Sequence, residues 1–198
     1  MKTEQDWLNY LTQPENLPCA LEVGSRHQAL KHAVLNNLYG RIVAKVQAHL
    51  KRRKATKYWY AYHDDAVEDW ASVKIWPENY PDGCGCAYVR LERCMFQKQP
   101  RFVLGIGNHV ISAFNKQSLH ALIASMEGHD FCLKNKAWVR RRWLEYYPED
   151  HDFCVEATMT NRIEDNLTEA VIEVFDEFRE LMEEMNRVEK GRFKPRKM

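Results

Sequence analysis

The sequence has no run of apolar residues that approaches the roughly 18 needed for a membrane-spanning helix. Its N-terminal segment, MKTEQDW, is rich in charge and contains no apolar core of the kind that a signal peptide has. The sequence therefore lacks the usual marks of a membrane or secreted protein. We therefore expect a cytoplasmic protein without membrane contact.

Cysteine is sparse and irregularly spaced, with six residues in 198, which argues against a disulfide framework and for reduced thiols. Cys84, Cys86 and Cys94 lie closest together, and His63 or His109 would be a fourth zinc ligand. Structural zinc sites usually combine two C-x₂₋₄-C pairs, whereas this chain has one C-x-C pair and no second pair. The eight histidines show no H-x-x-x-H or H-E-x-x-H spacing. We expect no metal or other cofactor.

The net charge of +1 conceals a strong segregation of charge along the chain. Residues 145–189 contain 15 acidic and 3 basic residues, whereas residues 1–144 contain 13 acidic and 21 basic residues. Five more cations lie between Lys190 and the C-terminus. Such segregation bears on partners and solubility rather than on fold.

Hydrophobic periodicity predicts a long N-terminal helix followed by strands. Between residues 25 and 53, apolar side chains recur every four residues from Leu30 to Leu50, which is the spacing of one helix face. Aromatic and β-branched residues then dominate four short segments, which we interpret as strands. Their ranges are 57–63, 70–76, 86–96 and 101–107. Short polar links between consecutive strands favour an antiparallel meander.

The second half is predicted to return to helices at 118–127 and 135–147, with a fifth strand at 152–159. The last helix begins near Asn161 or Asn166, ends at Gly191, and combines an apolar stripe with an acidic face. The predicted fold is therefore α+β: an antiparallel four- to five-stranded sheet flanked by helices, with a long N-terminal helix and a long C-terminal amphipathic helix. Residues 1–190 form one domain, and we expect residues 191–198 to be a disordered basic tail.

A basic and aromatic segment, KRRKATKYWYAYH at 51–63, is the best candidate for contact with nucleic acid. Cations neutralise phosphates, and tyrosine rings can stack on unpaired bases. A second basic segment lies at 134–142 and could join the first on the surface. The predicted nucleic-acid-binding residues are Lys51, Arg52, Arg53, Lys54, Lys57, Tyr58, Arg140, Arg141 and Arg142. The first functional hypothesis is thus a nucleic-acid-associated protein without catalytic activity.

Two carboxylates suggest an alternative. In Pro81, Asp82 and Glu92 the chain resembles the PD-(D/E)XK nuclease superfamily, although Cys94 stands where that family has lysine. The resemblance implies a metal-dependent nuclease in which Asp82 and Glu92 bind Mg²⁺ beside a phosphate. Magnesium is expected as a cofactor only under this hypothesis.

The acidic face of the C-terminal helix supports a third hypothesis, an interaction or inhibitor module. Its carboxylates could bind a basic protein partner or a second copy of the chain, because a helix with one acidic face resembles a phosphate backbone electrostatically. The sequence leaves this alternative open beside the other two.

Overall fold

The computed structural model describes residues 3–66, 71–78, 86–94, 100–109, 124, 132–133, 138–148 and 150–192. Within these ranges it has the helices α1 (Glu4–Leu11), α2 (Leu17–Arg52), α3 (His151–Met159) and α4 (Arg162–Arg192). The strands are β1 (Trp59–His63), β2 (Ser72–Pro77), β3 (Cys86–Cys94), β4 (Arg101–His109), β5 (Cys132–Leu133) and β6 (Trp138–Trp143). No described helix is both long enough and apolar enough to cross a bilayer.

The strands form one antiparallel sheet in the order β1-β2-β3-β4-β6-β5. The first four follow the predicted meander, so each strand pairs with the one before it in sequence. Alternation in β3 divides its side chains between the two faces of the sheet. Ala87, Val89 and Leu91 join the main core, whereas Tyr88 packs with Trp76 on the opposite face. The α+β prediction is confirmed.

Helices α2 and α4 cover the first of these faces. The predicted stripe of α4 is buried from Leu167 to Met185, and that of α2 from Leu38 to Leu50. Asn186 of α4 also donates from its amide to the carbonyl of Ala87 at 3.0 Å and accepts from the Ala87 N–H at 2.8 Å. In the register of β2 and β3, Pro77 would stand opposite Ala87 and has no N–H to offer. The buried asparagine therefore supplies the donor that the proline lacks, and its amide oxygen accepts from the same residue.

Helix α2 extends further towards the N-terminus than predicted. It begins at Leu17 instead of residue 25, because Pro18 lies in the first turn, where the missing N–H would have no helical partner. Leu21, Val23 and Leu30 on this first part are more than 60% exposed, so the helix runs well past the core before it packs. The apolar period that predicted the helix is thus buried only from Leu38 onwards.

Two predicted elements are wrong. Residues 138–143 form strand β6, not a helix, because their backbone groups pair with the side of β4 that β3 leaves open. This tertiary pairing outweighs the good helix propensity of three consecutive arginines. Residues 151–159 form helix α3, not a strand. Phe153 and Ala157, four residues apart, are buried while Val155 between them is 47% exposed, which is a helical period.

The helix predicted at 118–127 lies outside the described residues except for Ala124. Gly191 does not end α4, since the helix runs to Arg192. Gly191 and Arg192 therefore belong to the helix rather than to the predicted basic tail.

Candidate nucleic-acid interface

Helix α2 ends in a Schellman motif that carries a lysine where glycine is usual. The N–H of Ala55 donates to the carbonyl of Leu50 at 2.8 Å, and the N–H of Lys54 donates to that of Lys51 at 3.1 Å. Lys54 has a φ of 54°, in the left-handed region that glycine adopts without strain. Ala55 and Leu50 are both buried, which completes the hydrophobic contact of the motif. The chain turns sharply here and places 53–58 beside the last turn of α2.

Five cations surround this turn, and their side chains are exposed: Lys51, Arg52, Arg53, Lys54 and Lys57. Arg53 is held by Asp176 of α4 at 3.2 Å. The other four form no ion pair with any residue that the structure describes. The negative end of the α2 dipole opposes anion binding at this place, but the Schellman hydrogen bonds already engage two of its terminal carbonyls. The local field is therefore set mainly by the four cations.

Strand β1 adds exposed aromatic rings to these cations. It is an edge strand, and its side chains alternate, so Trp59 and Ala61 are buried whereas Tyr60 is 43% exposed. Tyr58, directly before the strand, is 54% exposed, and the ammonium of Lys57 lies 5.5 Å from its ring centre. Trp59 anchors the segment, since its Nε1–H donates to Glu183 at 3.0 Å and its ring meets Phe175 edge to face. We call the five cations together with Tyr58 and Tyr60 the basic corner.

A cleft of about 420 Å³ opens beside the basic corner, between α2 and β1. Ala44 and Ala48 form its wall on α2, and Trp59 and Tyr60 form its wall on β1. The two alanines lie four residues apart on one helix face, and their small side chains leave the space that the cleft occupies. Lys51 lines the cleft and also belongs to the basic corner, so the two features are continuous.

The second predicted basic segment does not join this corner. It forms β6, and four strand spacings of ~4.8 Å place it roughly 19 Å from β1 across the sheet. Arg141 is 9% exposed, and its guanidinium lies 4.9 Å from the centre of the Trp143 ring. Arg142 is partly buried, and the side chain of Arg140 lies outside the described residues. The predicted residues 51–58 are therefore assembled into one surface, whereas 140–142 stand apart from it.

Glu92, one of the two predicted nuclease carboxylates, lies among cations. Its side chain is 1% exposed and forms an ion pair with Arg90. Burial raises the pKa of its carboxyl, against the lowering influence of Arg90, Arg141 and Lys74. Asp82 lies outside the described residues. Since three positive charges surround Glu92 and no second described carboxylate converges on it, the described surroundings do not favour a divalent cation.

The cysteines cannot share a zinc ion in the way considered from the sequence. Cys86 and Cys94 begin and end β3, so a rise of ~3.3 Å per residue separates them by roughly 26 Å. Both are buried, while Cys84 and the side chain of His109 lie outside the described residues. The Nδ1–H of His63 donates to the carbonyl of Asp64 at 2.9 Å. No group of three metal-ligating side chains occurs among the described residues.

The acidic face of α4 is divided between two roles. On the side that meets α2, Glu164 pairs with Arg41 and Lys45, and Asp176 pairs with Arg53 and lies 3.0 Å from His49. Asp165 also pairs with Lys45. Away from α2, exposed carboxylates follow one another at helical spacing along the outer surface: Glu169, Glu173, Glu177, Glu180 and Glu184. Some of the carboxylates that the sequence suggested for a partner therefore form ion pairs with α2 instead.

Sequence reasoning missed Tyr60 and the cleft. Period-two alternation across 58–61 would have identified Tyr60, because its neighbours Trp59 and Ala61 belong to the core. The sequence gives less indication of the cleft, because the cleft exists only where α2 and β1 lie side by side. The chain matches no protein-family model, and neither a curated protein nor a solved structure proved similar to it.

Proposed function

We propose that this protein binds single-stranded nucleic acid, without catalysis, at the basic corner. The observation that carries the proposal is the meeting of four exposed cations outside any described ion pair with two exposed tyrosine rings on one edge of the sheet. Cations attract the phosphates of any strand, and an aromatic face stacks on any unpaired base. Single strands are favoured over duplexes because only unpaired bases could stack on Tyr58 and on the face of Tyr60 that does not stack on Tyr62.

The salt dependence expected for this binding follows from counterion release. Each neutralised phosphate contributes ~0.7 to the slope of log K against log salt for a single strand, so four cations give a slope of about −2.8. Affinity should then fall about 50-fold as salt rises from about 50 to about 200 mM. Stacking adds roughly 1–3 kcal/mol per base and does not depend on sequence. Binding with weak base preference and strong salt dependence is the expected signature.

The test is a titration of a fluorescent oligonucleotide of about 12 nucleotides at several salt concentrations, read by anisotropy. The combined variant Lys51→Ala, Arg52→Ala, Lys54→Ala, Lys57→Ala should lose most of the slope and most of the affinity at low salt. The matched control removes four cations from other surfaces, through Arg26→Ala, Lys31→Ala, Arg162→Ala and Arg187→Ala, with the same change in net charge. If both variants bind alike, the attraction is a property of overall charge and the proposal is wrong.

A second candidate is the docking of a basic protein, or of a second copy of this chain, on the outer carboxylates of α4. The supporting observation is the exposed run from Glu169 to Glu184, which repeats every three or four residues. It ranks below the first candidate because solvated acidic faces are common on amphipathic helices. A wild-type chain that binds no oligonucleotide at low salt would make it the leading candidate.

A further inference from the structure

We infer that the cleft between α2 and β1 receives one unpaired nucleobase of a bound strand. This inference rests on the proposed function and adds a defined base site to the basic corner. The cleft is continuous with that corner through Lys51 and Tyr60. A strand held by its phosphates at 51–57 would therefore pass along the mouth of the cleft.

The size and lining of the cleft suit a flat heterocycle. The cleft is open on one side, and its volume of about 420 Å³ is large enough to admit one base. Exposed apolar surface comes from Ala44 and Ala48, with the buried Leu50 and Trp59 behind them, and it would contact a base. Apolar walls that carry a few polar groups are the usual composition of sites for such ligands.

The polar groups of the cleft are placed for the edge and the phosphate of a nucleotide. The amide NH₂ of Gln47 donates to the carbonyl of Ala61 at 2.9 Å, which fixes the side chain. Because a carbonyl only accepts, the amide oxygen is the atom left over, and it accepts no hydrogen bond from any described residue. Thr56 supplies a hydroxyl, and Lys51 supplies a positive charge at the end nearest the basic corner. An exocyclic amino or ring N–H group of a base would complete the hydrogen bonds of Gln47.

The test fills the cleft without changing charge. Ala48→Leu places a larger side chain on the α2 wall at little cost in helix propensity, and Ala29→Leu makes the same change at an exposed site on the same helix. Ala48→Leu should weaken binding of an ordinary oligonucleotide about tenfold, which corresponds to the loss of one stacked base. The slope against salt should stay as in the wild type, because the phosphate contacts remain.

A strand of abasic sugar-phosphate completes a two-by-two comparison. It should bind wild type and Ala48→Leu equally, since it has no base to place in the cleft. Equal binding of the ordinary strand by wild type, Ala48→Leu and Ala29→Leu would overturn the base site while leaving salt-dependent binding intact. Failure of the wild type to bind either strand would instead overturn the proposed function.

A free nucleotide tests whether the cleft binds a base of a strand or a mononucleotide. Adenosine monophosphate should compete for the cleft only at concentrations far above those of the strand, because it lacks the remaining phosphate contacts. Competition as strong as that of the oligonucleotide would show a site for a mononucleotide and would overturn the strand-bound base.

Discussion

At the scale of single residues, Lys54 is the most informative position. Of the residues that the structure describes, it is the one non-glycine residue with a positive φ. The left-handed conformation costs roughly 1–2 kcal/mol for a residue with a Cβ, and glycine would avoid that cost. The lysine instead places a cation in the middle of the basic corner, so a cost in stability accompanies a gain in positive charge. We interpret this as local strain at the proposed binding site.

Lys54→Gly should therefore stabilise the fold while it weakens binding. We expect the free energy of unfolding to rise by about 1 kcal/mol, because the strain is removed. Lys54→Ala removes the same charge but keeps a Cβ, and it should not be stabilised. Chemical denaturation measures the first effect, and oligonucleotide titration should show both variants losing ~0.7 of the salt slope. Equal stabilities of the two variants would contradict the strain at this position.

At the scale of elements, the contact between α2 and α4 depends on a buried carboxylate. Glu164, near the start of α4, is 3% exposed and is contacted by Arg41 and by Lys45, the latter at 2.5 Å. Arg41 also donates to the carbonyl of Ala157 at 2.7 Å, which ties α3 to the same pair of helices. Burial alone would raise the pKa of Glu164, but hydrogen bonds from Lys45 and Arg41 hold it below its usual value of 4.5. The carboxylate form is thus the one that stabilises the fold.

Glu164→Gln should destabilise the protein by about 2 kcal/mol at neutral pH, the scale of a hydrogen bond to a charged group. Because the pKa is lowered on folding, this stabilisation is present above pH 4.5 and is lost as the pH falls through the folded value. The difference between wild type and variant should therefore shrink below pH 4.5. Denaturant titrations at several pH values measure it, and Glu169→Gln on the outer surface of α4 is the control. A pH-independent difference would contradict this account.

The elements also show which structures the sequence could predict. The two long helices and the meander were predictable, because their periods persist over many residues or several strands. The segments 135–147 and 152–159 were not, because each is short and its apolar residues fit either period. In the candidate site, the cations and Tyr58 were predictable as a charged aromatic run. The burial of Arg141 and the cleft beside Ala48 were not, because both depend on contacts between elements distant in sequence.

At the scale of the whole molecule, the charge segregation has a structural explanation. The acidic helix α4 lies against α2 and pairs with Arg41, Lys45 and Arg53 through its inner carboxylates. Four exposed cations outside any described ion pair remain at the C-terminal end of α2 and in the link to β1. The outer carboxylates of α4 repel a strand from their own surface. Under the proposed function, this distribution of charge would direct an anionic chain towards the basic corner.

The most direct test of this account is photocrosslinking of a single strand that carries 5-iodouracil, followed by mass spectrometry of the crosslinked peptides. We predict crosslinks at Tyr58 or Tyr60, suppressed by excess unlabelled strand and by the substitutions at Lys51, Arg52, Lys54 and Lys57. Crosslinks that map instead to Trp143 of β6 or to α4, or that persist in the charge variant, would contradict the proposed interface.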